Sequence, residues 1–188
     1  MSRMLALACA FVLSAGMAML QPAMLQPAMA QQPAAPAAPP AAPAAAPAPR
    51  PAYGPAITLD QAKRAMAAAE LKAAENSWQV AITIIDSGGN LVMFHKVDNA
   101  PLFAVAVSQG KARTALDFKL PSKALDYAIT SGGAGMRLLA LNNTTPLEGG
   151  VPVIVDGKIV GAIGVAGALS PQDAEVAKAG ADALVPTQ

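Results

Sequence analysis

Apolar positions recur at helical spacing from the start of the folded part of the chain: Leu59, Ala62, Met66, Ala69 and Ala73 lie on one face of a 3.6-residue period. Thr58-Leu59-Asp60-Gln61 precedes them with the spacing of a capping box, Thr58 as N-cap and Gln61 at N3. The face is narrow and made of small residues, which suits close packing on a sheet, and Asn76-Ser77 ends the helix. The period then changes to two. Val80, Ile82 and Ile84 alternate with Ala81, Thr83 and Ile85 as in a strand. Asp86-Ser87-Gly88-Gly89-Asn90 is a turn of residues that tolerate positive φ, and residues 91–97 return as a second strand, which makes a hairpin.

Asn99-Ala100-Pro101 opens a helix over residues 102–118, and Pro121-Ser122 opens another that runs to about Ile129. Residues 131–135 form a glycine-rich loop, and residues 137–141 a helical turn or a short strand. Residues 151–155 and 159–165 are strands joined by Asp156-Gly157, the signal of a type I′ hairpin turn. Ser170 as N-cap, Pro171 at N1 and Asp173 at N3 start the last helix, with Ala174, Ala177, Ala181 and Leu184 towards the sheet. The order is helix, hairpin, helices, hairpin, helix. Hairpins require antiparallel pairing, so the expected class is α+β: an antiparallel sheet of four or five strands with helices packed on it.

The first 56 residues have a different character. Arg3 is a short positive region, residues 4–20 are apolar apart from Ser14 and Gly16, and Ala28-Met29-Ala30 satisfies the small-x-small cleavage rule. Residues 1–30 are therefore expected to be a signal peptide, with Gln31 as the mature N-terminus and an earlier cut after Ala18 as the alternative. An uncleaved anchor is disfavoured because the apolar run is shorter than the ~20 residues of a membrane span. Residues 31–56 are a Pro/Ala-rich linker that favours polyproline II and acts as a semi-stiff spacer or a passive tail. The domain is assigned to residues 57–188, and the protein to the periplasm or the secreted fraction.

Composition narrows the chemistry. The chain of 188 residues is 54% hydrophobic, largely through alanine, and only 4% aromatic, so the core must come from Val, Ile, Leu, Met and Ala. Lys plus Arg number 13 and Asp plus Glu 12, and losing Arg3 with the leader brings the balance to zero, with no electrostatic footprint for nucleic acid or an anionic membrane. Cys9, the single cysteine, also leaves, so the mature chain has no disulfide and no thiol nucleophile. One histidine cannot build a four-ligand zinc site. No Gly-x-Ser-x-Gly elbow or phosphate-binding loop is present. A small domain without disulfides, carrying a small-residue face at Ala65, Ala68, Ala69 and Ala73, is expected to gain stability as a homo-oligomer.

Two groups of residues carry candidate chemistry. Leu91, Met93, His95 and Val97 alternate onto one strand face, and a lone imidazole beside a thioether suits haem, with His95 as the iron ligand and Met93 lining the pocket. A surface histidine held by a hydrogen bond is the bland alternative, and Met66, Met136 and Tyr127 are the other neutral ligands. Lys111 and Thr114 share a helix face while Arg113 points elsewhere. A cation and a hydroxyl there suit a carboxylate, either a haem propionate or a small organic acid, against the alternative of a solvated face. Gly161, Gly164 and Gly167 in and after the last strand mark bulges or close approach of a ligand or another backbone.

Taken in order, these segments resemble the GlcG/HbpS family. Ile85-Asp86-Ser87-Gly88-Gly89-Asn90-Leu91-Val92 is similar to its V-V-D-x-G-G-x-L-V hairpin, and Val97-Asp98-Asn99-Ala100-Pro101 to its M-D-G-A-P segment. Lys111-Ala112-Arg113-Thr114-Ala115 matches K-A-x-T-A, Gly149-Gly150-Val151-Pro152 matches G-G-x-P, and Gly161-Ala162-Ile163-Gly164-Val165-Ala166-Gly167 matches G-A-I-G-V-S-G, with Asp173 at an acidic position. Ala166 departs from the usual serine, and His95-Lys96 occupies a place where the family often has arginine. The resemblance implies a profilin-like, homo-oligomeric domain whose relatives include exported haem-binding proteins, a domain appended to corrinoid adenosyltransferases, proteins encoded with glycolate metabolism and proteins of haem breakdown. The expected function is an exported haem-binding protein acting as carrier, buffer or sensor partner. The alternatives are an enzyme or accessory acting on a small oxidised carbon compound such as a hydroxy acid, held by Lys111 and Thr114 where Gly161 and Gly164 leave room, and a ligand-free oligomeric interaction domain.

Overall fold

The computed structural model describes residues 49–185; the expected signal peptide, Cys9 and most of the Pro/Ala linker lie outside them. Helix α1 (Leu59–Glu75) is followed by β1 (Ala81–Asp86), β2 (Leu91–Lys96), α2 (Ala104–Phe118), α3 (Lys123–Thr130), a 3-10 helix (Gly133–Ala140), β3 (Gly150–Val155), β4 (Lys158–Ala166) and α4 (Ser170–Asp182). The four strands form one antiparallel sheet in the order β2-β1-β4-β3. Helices α1 and α4 cover one face and α2 covers the other. The α+β class and the two hairpins read from the periodicity are those observed.

Local chemistry explains the element ends. Thr58 Oγ1 accepts from Gln61 N at 3.2 Å while Gln61 Oε1 accepts from Thr58 N at 2.9 Å, so both halves of the capping box form. Asp156 and Gly157 have φ of 49° and 72°, the left-handed pair that a type I′ turn requires. The buried stripe of α1 is Ala62, Ala65, Met66, Ala69 and Ala73, and Leu59, expected on that face, is exposed. One core joins this stripe to Ile82, Ile84, Ile163, Val165 and Val176, and a second lies under α2 with Ile85, Ala112, Ala115, Leu116, Ile159 and Ala162.

Four expectations need correction. First, Ser170 is the first helical residue of α4 and not its N-cap. Leu169 precedes the helix in extended geometry, and its N–H donates to Gln172 Oε1. Asp173 turns inward, where its Oδ1 accepts from Ala168 N. The buried face of α4 also contains Val176 and Gly180, and Ala174 is only half-buried. Second, the β1–β2 register shifts between Ile84 and Ile85, so that Ile84 faces Met93 but Ile85 faces Leu91. Val92 is the extra residue of a bulge, which turns Leu91 to the α2 side and breaks its expected alignment with Met93 and His95.

Third, the ordered domain begins before Ile57. Ala52 O accepts from Ile159 N, Gly54 N donates to Ile159 O at 2.8 Å, and Tyr53 makes a parallel bridge to Ile159. Tyr53 OH also donates to Leu116 O, and Arg50 Nη1 to Phe118 O, each at 2.8 Å. Composition alone assigned these residues to the spacer because Pro and Ala neighbours mask a short pairing segment. Fourth, the stretch after α3 is a 3-10 helix that begins at Gly133, within the expected loop. Among the described residues, no helix is long and apolar enough to cross a membrane.

Candidate functional site

Lys111 and Thr114 share a face of α2, as their spacing requires, but that face is turned inward and leaves them 2% and 1% exposed. The solvated-face alternative is therefore excluded. Lys111 Nζ donates to Asp173 Oδ2 at 2.7 Å, across from α2 to α4. Burial pushes the Asp173 carboxyl up from its ordinary value, against the opposing pull of the Lys111 ammonium. Gly149, at φ 129°, covers the pair so closely that a Cβ there would lie 2.8 Å from Nζ and 2.9 Å from Asp173 Cβ. Thr114 Oγ1 accepts from Thr145 N at 2.8 Å. Both side chains of the expected carboxylate site are thus engaged within the protein.

The strand glycines are occupied in the same way. A Cβ on Gly164 would lie 2.1 Å from Ser108 O and 2.4 Å from Ala112 N, so the backbone of α2 fills the space beside it. A Cβ on Gly161 would meet Ile85 O at 2.2 Å and the Ile57 side chain at 3.3 Å. The room that was expected for a ligand is taken by backbone and core. Beyond Gly149 and Gly150 a groove of about 350 Å³ runs between β3 and α4, floored by Val151, Pro152 and Ala181 and rimmed by the ion pairs Lys123–Glu148 and Lys178–Asp182.

His95 and Met93 lie on the opposite edge of the sheet, on the face that carries α1. Strands β2 and β3 are the outermost, three strand spacings apart, or roughly 14 Å at the level of the sheet. His95 pairs with Glu70 of α1, whereas Lys111 of α2 pairs with Asp173 of α4, so the two belong to different clusters. His95 Nδ1 is 2.6 Å from Glu70 Oε1 on α1, and the two side chains are 45% and 42% exposed. Met93 is half-buried and packs on the core together with Trp78 and Val97. Glu70, Ala73, Trp78 and Val97 line a groove of about 380 Å³, with Lys72 Nζ 6.0 Å from the Trp78 ring centre. A carboxylate on one ring nitrogen orients an imidazole and leaves Nε2 for another partner. Glu70 was not singled out in the sequence, because a glutamate on a polar helix face carries no sign of a partner 25 residues away.

The family described as haem degrading protein HbpS-like matches residues 57–182. This chain belongs to the HbpS-like family. It is 39% identical over 109 residues to Protein GlcG of Escherichia coli K12, covering 58% of this chain and 80% of that protein. Its structure is similar to that of a double mutant of Streptomyces reticuli HbpS, with a TM-score of 0.64, 31% identity and coverage of 78% and 99% of the two chains. It also has the fold of PduOC, solved as a haem complex, at TM-score 0.63 and 23% identity over 68% of this chain and 94% of that one. In this HbpS-like domain Lys111, Gly149, Gly150, Gly161, Gly164 and Asp173, which carry much of the resemblance, are points of close packing between α2, the sheet and α4.

Proposed function

We propose that this chain is an exported haem-binding protein, acting as a carrier, buffer or sensor partner, and that it holds haem at the β2 edge through His95. The family, whose description concerns haem, and the haem complex of a relative with this fold support the ligand. The observation that carries the site is the Glu70–His95 contact of 2.6 Å beside a groove containing Trp78 and Val97. The residues present fit the group: bound haem supplies an iron that accepts neutral imidazole, Glu70 orients the ring, and Met93 and Trp78 offer apolar and aromatic contact. Lys72, next to Trp78 and 3.4 Å from Glu175 at an exposed position, is the cation that would exchange this partner for a propionate. The Lys111–Thr114 face supports this role less well, because its donors and acceptors already have partners.

Titration with hemin tests the reading. The wild-type protein should give a shifted Soret band at a defined stoichiometry. His95→Ala should abolish the histidine-type spectrum with the fold intact by circular dichroism, and Glu70→Gln should weaken binding. A spectrum equal to that of free hemin removes the proposal. An unchanged spectrum in His95→Ala transfers haem to the groove of Lys123 and Lys178. Export rests on the apolar leader and the Ala28-Met29-Ala30 site. N-terminal sequencing of protein from the periplasm or medium should begin at Gln31, and recovery of an intact N-terminus there would refute cleavage.

A further inference from the structure

The two outer strands of the sheet have edges of different chemistry. In β3 the bond from Val165 N to Gly149 O fixes the parity: Gly149, Val151 and Val153 bond towards β4, while Gly150 and Pro152 face outwards. Gly150 is already engaged, because its N–H donates to Ser122 Oγ at 2.8 Å and its carbonyl accepts from Ser122 N at 2.9 Å. Pro152 has no N–H to offer. This edge is closed to a further strand over most of its length.

The edge of β2 is open. Val97 N donates to Val80 O at 2.9 Å, so Val97, His95 and Met93 bond towards β1, and the N–H and C=O of Phe94 and Lys96 face outwards. Among the described residues nothing pairs with them. The bulge at Val92 ends this regular stretch. Two identical strands meeting here about a two-fold axis have few registers. With Phe94 opposite itself, Lys96 meets the bulged Val92. With Lys96 opposite itself, like charges meet. With Phe94 opposite Lys96 of the second copy, both outward residues exchange their bonds, each lysine stem lies against a phenyl ring, and His95 faces His95.

We infer that two copies of this chain pair antiparallel through β2, Phe94 against Lys96, and that the two His95–Glu70 pairs form one shared site on the dyad. Facing residues that bond to their own β1 are a closely spaced pair, with Cα atoms about 4.5 Å apart. His95 and Glu70, with side chains 45% and 42% exposed, leave this position accessible. Each Nδ1 stays with its own Glu70, and both Nε2 atoms serve the same side of the joined sheet. Two imidazoles this close cannot each carry a macrocycle far wider than their spacing. On the haem reading above, on which this consequence rests, the pair therefore takes one haem for two chains.

Cysteine scanning of the whole protein tests the register. In a Cys9→Ser background, which has no other thiol, His95→Cys should give a disulfide-linked dimer on oxidation, because facing Cα atoms about 4.5 Å apart lie within disulfide range. Met93→Cys, placed opposite Val97, should not. Lys96→Pro deletes an outward N–H and spares the β1–β2 ladder, so it should weaken self-association about tenfold or more, with folding checked by circular dichroism. Lys96→Thr keeps the N–H and should stay assembled. A His95→Cys chain that remains uncrosslinked, crosslinking of Met93→Cys instead, or assembly unaffected by Lys96→Pro each overturns the inference. Hemin titration of the wild type should saturate at one per two chains, and saturation at one per chain overturns the shared site. A wild type without a Soret shift, beside a His95→Cys chain that crosslinks, removes the haem reading and supports the pairing.

Discussion

Lys111 on α2 and Asp173 on α4 meet at 2.7 Å with their side chains 2% and 3% exposed, and so join helices from opposite faces of the sheet. Removing one partner leaves the other charge buried and unpaired. Asp173→Ala should therefore cost about 3–5 kcal/mol in urea unfolding. The double variant Lys111→Met with Asp173→Leu should recover most of that loss, because well-packed apolar groups of similar volume replace a desolvated pair with little penalty. A cost below about 1 kcal/mol for Asp173→Ala, typical of surface pairs, would show that water reaches the pair.

Gly164 tests the packing of α2 on the sheet. Gly164→Ala puts a methyl 2.1 Å from Ser108 O, a backbone atom that moves only with the helix. The expected loss is about 1–3 kcal/mol or more by chemical denaturation. Gly88→Ala serves as the control: its new methyl would meet only side-chain atoms of Asn90 and Asp86, at 3.1 and 3.2 Å. Equal effects of the two substitutions would refute the packing role of Gly164.

The N-terminal segment should matter for stability. Tyr53→Phe removes the bond to Leu116 O and should cost about 1 kcal/mol. A chain that begins at Ile57 also loses the bonds of Ala52 and Gly54 to Ile159, and its unfolding midpoint should fall further. An unchanged midpoint in the shortened protein would mean that the domain begins at Ile57 after all.

Asp86 gives a pH dependence with a definite sign. Burial raises its carboxyl pKa, but hydrogen bonds from Asn90 and from the Gly88 and Gly89 backbone outweigh this and hold it below the usual 3.8. The unfolded state therefore binds the proton first. The stability that Asp86 contributes is complete above the unfolded pKa and is lost as pH falls through the lower folded one. Asp86→Asn should destabilise at neutral pH by about 1 kcal/mol, and the difference from wild type should close in acid. Asp173 acts with the opposite sign, because its folded pKa is raised and its contribution falls as pH rises through that value.

Self-association is an expectation that the surface supports. Leu102, Phe103, Tyr127 and Leu139 are 90%, 58%, 74% and 59% exposed, and the sheet ends in two outer strands. Apolar exposure of this kind favours association with further copies. Light scattering at micromolar concentration should report a multiple of the monomer mass, and a clean monomer would overturn the expectation.

The sequence by itself determined what depends on neighbours along the chain. The α1 capping box, the type I′ turn at Asp156-Gly157, the two hairpins and the order of elements follow from period, caps and turn residues within a few positions of one another. Even there Val92 escaped, because a bulge is a compromise between two strands and leaves no mark on the alternation of one. The tertiary structure alone decided what the chemical groups face. Lys111 and Asp173 are 62 residues apart, and Glu70 and His95 are 25 apart. A side chain's type states which partners it can take, not which it meets. Burial paired Lys111, a candidate ligand-binding cation in the sequence, with Asp173, and the backbone of α2 took the space beside Gly164, while His95 gained a carboxylate that no local pattern announces. Secondary structure is written mainly in local preferences, whereas a site is made by the contacts that folding brings together.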